Sequence, residues 1–306
     1  MQENKYYNEI KDILINNEIN KKVKDYFKNK AELESYYNVG KLLFEAGKHY
    51  GNGIIKEYSI KLTKELNIKY TKSSLYNMIN FYKLFVNFQT LSGKSQTLSD
   101  FLSWSHYVEL LKFEDINEIN YYISQVEEKH LSVRDLRKII KDKEYERLDE
   151  STKEKLKHNE ELSIVDEIKN PILINNKSNI DVNNIKEKVL QKIILDDITN
   201  FLKQLGNGYA FIDSEYKIKV GNTYNYIDIL LYNVIYHCYV VVELKVTPLK
   251  KEHIGQIEVY MNNIDFNLKG INDNKTIGLI VVKENNEYII KYSSDKRIKS
   301  LEYEFI

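Results

Sequence analysis

The sequence predicts an α+β protein: an all-helical N-terminal domain over residues 1–145, a charged boundary region over 146–183, and an α/β domain with a mixed sheet over 184–306. Three observations predict it. Apolar residues recur at three- and four-residue steps through the first half, the period of amphipathic helices. Between about 141 and 161 the chain turns to mixed charge, KDKEYERLDESTKEKLKHNEE, as an exposed helix or linker does. Beyond about 185 the helical pattern gives way to apolar runs of strand length.

Within the first half, Leu33, Tyr37, Gly40 and Phe44 mark one helix, ended by a glycine-rich break from Gly47 to Gly53. A helix over 54–66 follows, and Thr71 to Ser74 offers capping residues before the series Leu75, Met78, Ile79, Tyr82 and Phe85. This pair is open to a helix-turn-helix or winged-helix reading, though any small helical bundle contains such a pair. Residues 87–100, rich in Ser, Thr and Gln, read as a loop. Trp104 and His106 anchor the start of the next helix, and Ser132 to Asp135 opens another in the manner of a capping box.

In the second half a helix from 185 to 205 stops at Gly206 to Gly208. Strands follow over 209–220, interrupted near Asp213, then 224–232 and 236–246, the third broken by Pro248. A helix from about 250 to 263 and an apolar run at 277–282 come next, with 288–292 beyond. Helix, three strands, helix, strand is the order of a mixed sheet with helices on its faces.

Composition narrows the function. Forty-five basic residues balance forty-five acidic ones, so no global field steers the chain onto a polyanion, and nucleic-acid contacts must come from local patches. The single cysteine, Cys238, excludes an intrachain disulfide and a cysteine-based zinc site. No run approaches the roughly 20 apolar residues of a membrane span, and the first residues lack a signal-peptide core. A cytoplasmic protein without membrane partners is expected.

The chemistry concentrates at residues 223–245. Glu243 and Lys245 lie two apart on a strand and leave it on the same side. With Asp228 at the same height on the neighbouring strand, two carboxylates and an ammonium converge, a costly arrangement unless a cation offsets it. That points to a divalent-metal site; the alternative is a simple ion pair at a strand end. Lys250 and Lys251 nearby suit phosphate contacts or a solvated surface. So does a basic patch of Lys21, Lys22, Lys24, Lys28 and Lys30. His253, at a helix start and within reach of the cluster, reads as a surface residue and His237 as a turn residue, neither with a catalytic role.

The element order, with Asp on the second strand and Glu-x-Lys on the third, resembles the αβββαβ core of the PD-(D/E)xK nuclease superfamily, the restriction-endonuclease-like fold. The strings YNYIDILLY, VVVELK and IGQIEVYMNNID look like segments of the YhcG-like family, and so do LSWSHYVELL, LSVRDLRKII and FLKQLGNGYAFI upstream. The resemblance implies Mg²⁺- or Mn²⁺-dependent endonucleolytic hydrolysis of DNA, with the N-terminal domain supplying target or partner recognition. Asp228, Glu243 and the backbone carbonyl of Leu244 would hold the metal. Lys245 would activate water and neutralise developing charge. Gln256 would hold the site carboxylates or a phosphate.

Many members of the superfamily carry a glutamate on the first helix of the core; here Gln191 falls at that position, with Glu187 and Asp196 as substitutes if the helix is shifted. A catalytically weak nuclease fold acting as a nucleic-acid-binding or assembly module is the alternative function, and RNA an alternative substrate. A homo-oligomer is expected where both strands are cut.

Overall fold

The computed structural model describes residues 3–22, 28–92, 101–158, 160–177, 185–291 and 295–306. They form two compact units, Met1–Tyr145 and Glu146–Ile306.

The first unit is helical: α1 Glu3–Lys22, α2 Lys28–Tyr50, α3 Gly53–Leu66, α4 Lys72–Ser92, α5 Trp104–Leu110, α6 Ile116–Lys129 and α7 Val133–Lys141. Its core is built from Ile10 and Leu14 of α1, Val39 and Leu43 of α2, Tyr58 and Leu62 of α3, and Leu75 and Met78 of α4. Gly47 stays helical and α2 runs on to Tyr50, where Gly51, at φ 77°, provides the left-handed residue that ends it. Gly40 is required by packing: a Cβ there would collide with the carbonyl of Met78, so α2 and α4 cross nearly backbone to backbone. Tyr37 and Phe44 flank this crossing against Tyr82. Thr71 caps α4 by accepting from the Ser74 amide at 3.0 Å. Helix α4 extends through Ser92, so residues 87–92 are helical where the polar composition suggested a loop; 93–100 lie outside the described residues. His106 is buried and structural, its Nδ1 accepting from the Ser103 amide at 3.0 Å and its Nε2 meeting the Leu131 carbonyl at 3.1 Å.

The second unit contains α8 Glu150–His158, β1 Ile172–Ile174, α9 Glu187–Asp196, α10 Ile198–Leu205, β2 Tyr209–Val220, β3 Thr223–Asn233, β4 Cys238–Leu244, α11 Lys251–Asn267, β5 Ile277–Val282, α12 Glu287–Lys291 and β6 Ile298–Phe305. The sheet order is β1-β6-β5-β4-β3-β2. Strands β2 to β4 form an antiparallel meander, while β4, β5, β6 and β1 run parallel to their neighbours. Its two faces bury separate cores. Leu190, Ile194 and Phe201 of α9 and α10 pack on Ile229, Val240, Val242 and Leu279. Ile254, Ile257 and Met261 of α11 pack on Ile227, Leu230, Val241 and Ile280. The fold is thus α+β, with an αβββαβ order and a mixed sheet.

Several elements differ from their sequence reading. The helix expected over 185–205 breaks into α9 and α10 at Asp197, whose backbone leaves the helical region and whose carboxylate accepts from Asn175 at 2.7 Å. The stretch after the 277–282 run, untyped in the sequence reading, contains the short helix α12, Glu287–Lys291. The boundary region read over 146–183 falls within the second unit: β1 extends the sheet, and Lys299 of β6 donates to Asp149 and to the carbonyls of Val165 and Ile168. Neither β1 nor β6 was visible in the residue pattern, because β1 is three residues long and β6 alternates with charge. Among the described residues no helix is long and apolar enough to cross a membrane.

Candidate active site

Three sheet residues come together as the spacing predicted. Glu243 is on β4 and Asp228 on β3; the Leu244 amide donates to Asp228 Oδ2 at 2.8 Å, tying the two strands at that level. Beyond Asp228, β3 is no longer paired with β4, so this aspartate stands where the meander opens. Lys245 follows β4 and stays in the ladder through its amide, which donates to the Val281 carbonyl at 2.8 Å. Its Nζ lies 3.3 Å from Glu243 Oε2 and 3.5 Å from Glu187 Oε2.

Burial and charge shape the protonation of the group. Glu243 is only 2% exposed, and burial, reinforced by the Asp228 carboxylate, pushes its carboxyl up to about 8. Burial likewise raises Asp228, against the opposing pull of the Leu244 amide and Lys245. For Lys245, burial acts to lower the ammonium, but Glu243, Glu187 and Asp228 together outweigh it and hold it above its ordinary value. The two carboxylates therefore titrate as a pair around a shared cation.

Helices supply the next layer. Gln256 of α11 donates from Nε2 to Glu243 Oε2 at 3.0 Å. Gln191 of α9 is buried and donates to the backbone carbonyl of Asp228 at 2.8 Å, steadying β3 without offering a charge. Glu187, one turn earlier, is the first-helix acid that meets the cluster, through Lys245. Asp196 is exposed at the far end of α9, about 13 Å further along the axis, and takes no part. Lys250 and Lys251 are both exposed at the start of α11, with Lys250 Nζ 3.6 Å from Glu252. In the N-terminal unit Lys21 is engaged by Glu18, Glu32 and Tyr36 at 2.9 to 3.0 Å. Lys24, and the side chains of Lys22 and Lys28, lie outside the described residues, while Lys30 is half-buried.

Two neighbours were given no part in the site by the sequence reading: His253, placed within reach but on the surface, and Tyr260, not singled out. His253 is buried rather than on the surface: its Nδ1 accepts from the Lys250 amide at 3.2 Å, and burial, then the Lys245 charge, lowers its pKa. Tyr260 follows Gln256 by one turn, and Gln256 Nε2 donates to its hydroxyl at 3.1 Å. Both could have been found from Gln256, since positions three and four apart share a helix face. His237 occupies a turn with φ 46°, as read.

Whether a divalent cation fits is a question of donors. Among the described residues no three His, Cys, Asp or Glu side chains gather closely enough to cage an ion. Two carboxylates are present, and Glu243 Oε1 is buried without any hydrogen-bond partner. An unpaired carboxylate oxygen costs free energy where no cation meets it. Magnesium suits such a site, since it is bound through one or two carboxylates with water and phosphate completing its shell.

Residues 166–304 match the family described as the YhcG PDDEXK nuclease domain, and residues 14–147 match the DUF1016 N-terminal domain. The Escherichia coli K12 protein described as "Putative nuclease YhcG" is 25% identical over 202 residues, covering 64% of this chain and 52% of that protein. The chain thus spans about half the length of that relative. A repair endonuclease from Pyrococcus abyssi aligns in structure over 42% of this chain and 49% of its own, at 14% identity and a TM-score of 0.28. Joining a DUF1016 N-terminal domain to a YhcG PDDEXK nuclease domain, the chain belongs to the YhcG-like family of PD-(D/E)xK nuclease-domain proteins.

Proposed function

We propose that this chain is a Mg²⁺- or Mn²⁺-dependent DNA endonuclease whose catalytic residues are Asp228, Glu243, Lys245 and Gln256, with the N-terminal unit supplying target or partner recognition. The observation that carries the reading is the buried, unpartnered Glu243 Oε1 beside a second carboxylate and one ammonium. A protein without a cation to place there would gain stability by removing one of the acids.

Asp228 and Glu243, with the Leu244 carbonyl, would hold the metal. When bound it polarises the scissile phosphate and lowers the pKa of water. Gln256 fixes the Glu243 carboxylate by its amide, and Gln191 fixes the strand that bears Asp228. Lys245 presents a proton donor and a positive charge where the phosphate accumulates negative charge, an effect typically of about 3 kcal/mol. Glu187 takes the part of the first-helix acid by holding Lys245, and Lys250 and Lys251 meet flanking phosphates.

The test is cleavage of supercoiled, linear, branched and single-stranded DNA, with matched RNA, in Mg²⁺ or Mn²⁺ and in EDTA. Metal-dependent cleavage of DNA that Asp228→Ala and Lys245→Ala each abolish is expected. Equal cleavage by all three proteins, or none by the wild type, would overturn the enzyme in favour of a binding or assembly module. Faster cleavage of RNA would overturn the choice of sugar, and light scattering reports whether the active species is a homo-oligomer.

A further inference from the structure

The two strands leading into the site continue past it as a ribbon. Pairing between β3 and β4 spans Ile229 to Asn233, whereas β2 and β3 remain paired out to Val220 and Thr223. On this ribbon Lys217 stands directly opposite Tyr226 and Lys219 opposite Tyr224. Directly opposed residues of an antiparallel pair project from the same side, so the four share one face. The other face carries Ile218 and Ile227, buried with α11. All four are exposed, Tyr224 by 59% and Tyr226 by 53%, which is unusual for rings adjacent on one surface. Lys217 Nζ lies 3.9 Å from the centroid of the Tyr224 ring, a cation–π contact that ties the two strands' side chains together on this face.

Along β3, Tyr226 and Tyr224 lie about 7 Å and 13 Å from Asp228, at about 3.3 Å per residue. The opposing position on β2, beside Asp228, is Glu215, a non-glycine residue at φ 53°, and its carboxylate is 3.6 Å from Lys188 of α9. It is the one acidic group on this stretch of β2 and is matched by that lysine. Two flat rings and two ammonium groups, ranked in pairs away from the candidate catalytic carboxylate, suit a ligand with aromatic planes and repeating negative charge.

We propose that this face of the β2–β3 ribbon binds an unpaired nucleic-acid strand, Tyr224 and Tyr226 stacking on bases while Lys217 and Lys219 meet phosphates. The proposal rests on the nuclease reading for its substrate class. Bases paired in a duplex keep their faces stacked on one another, so rings presented this way select a strand whose bases are free.

The experiment measures fluorescence anisotropy of a labelled oligothymidylate and of a labelled duplex with the full chain in EDTA, where binding is read without cleavage. Tyr224→Ala with Tyr226→Ala should weaken the single strand on the order of tenfold or more, and Tyr224→Phe with Tyr226→Phe should restore it. Lys217→Gln with Lys219→Gln should flatten the salt dependence of the same binding. Melting temperatures of these surface variants should match the wild type. Wild-type affinity in the double alanine variant overturns the proposal, whatever the cleavage assay shows. Equal loss on single strand and duplex overturns the choice of an unpaired strand, and a dimer that dissolves in the alanine variant with oligonucleotide binding unchanged reassigns the face to a second copy. Ribbon-dependent binding without cleavage leaves this inference standing and removes the enzyme.

Discussion

Replacing Glu243 by glutamine separates the site's cost in stability from its use in chemistry. In the metal-free protein this buried carboxyl sits at about 8 against an ordinary 4.5, because burial and the Asp228 charge both penalise its ionised form. A folded pKa above the unfolded one means the folded state holds the proton more tightly. Stability is therefore full below about pH 4.5 and falls as pH climbs towards about 8. One pKa unit corresponds to about 1.4 kcal/mol, so the loss across that window is on the order of a few kcal/mol, shared with Asp228 because the two titrate together. Glutamine keeps an oxygen to accept from Gln256 and Lys245 and carries no charge. Thermal melts in EDTA at intervals from pH 5 to pH 8.5 should show the wild type declining more steeply than Glu243→Gln, whose remaining decline comes from Asp228, with the variant the more stable at the alkaline end. Added Mg²⁺ should raise the wild-type melting temperature at alkaline pH and leave the variant unmoved. Parallel pH profiles for the two proteins in EDTA would refute the reasoning, since Glu243 would then not be a buried charge in need of a cation.

Lys245→Met should lower the cleavage rate on the order of a hundredfold or more while leaving affinity for DNA within a few fold, as quenched-flow and anisotropy measurements would read; a matching loss in both would assign Lys245 to binding alone. Gln191→Glu replaces the donor to the Asp228 carbonyl with a group that can donate only when protonated, so the unfolding free energy at pH 8, read from urea titration, should fall by about 1–3 kcal/mol and recover towards pH 5. No pH dependence in that difference would mean the side chain has turned away from β3. Gly40→Val forces a branched side chain into the Met78 carbonyl and should destabilise the N-terminal unit by roughly 3 kcal/mol or more, seen as a lowered urea midpoint. An unchanged midpoint would show that α2 and α4 can move apart freely.

The local pattern of residues carried much of this architecture. Alternation and apolar runs marked β2 to β5, and three- and four-residue spacing marked the helices, because each side chain's environment on a regular element repeats with that element's period. The pairing of Glu243 with Lys245 was legible for the same reason: two residues apart on a strand means one face. The capping serine at 132 and the stop at Gly206 declared themselves through backbone chemistry that only a few residue types satisfy.

Elements that owe their form to distant contacts were not legible. Strand β1 is three residues made extended by pairing with β6, and β6 alternates with charge at the sheet's end, so neither has a local signature. Cleaving the long helix at Asp197 depends on Asn175 and Lys177, some twenty residues away. The inward position of His253, the choice of Glu187 over Asp196, and the use of Gln191 as a strut to Asp228 follow from how α9 and α11 lie on the sheet. By itself the sequence determined which groups were available and on which face of each element. The tertiary structure decided which of them met, because burial and the approach of charges from other elements, not spacing along the chain, set whether two carboxylates share one cation.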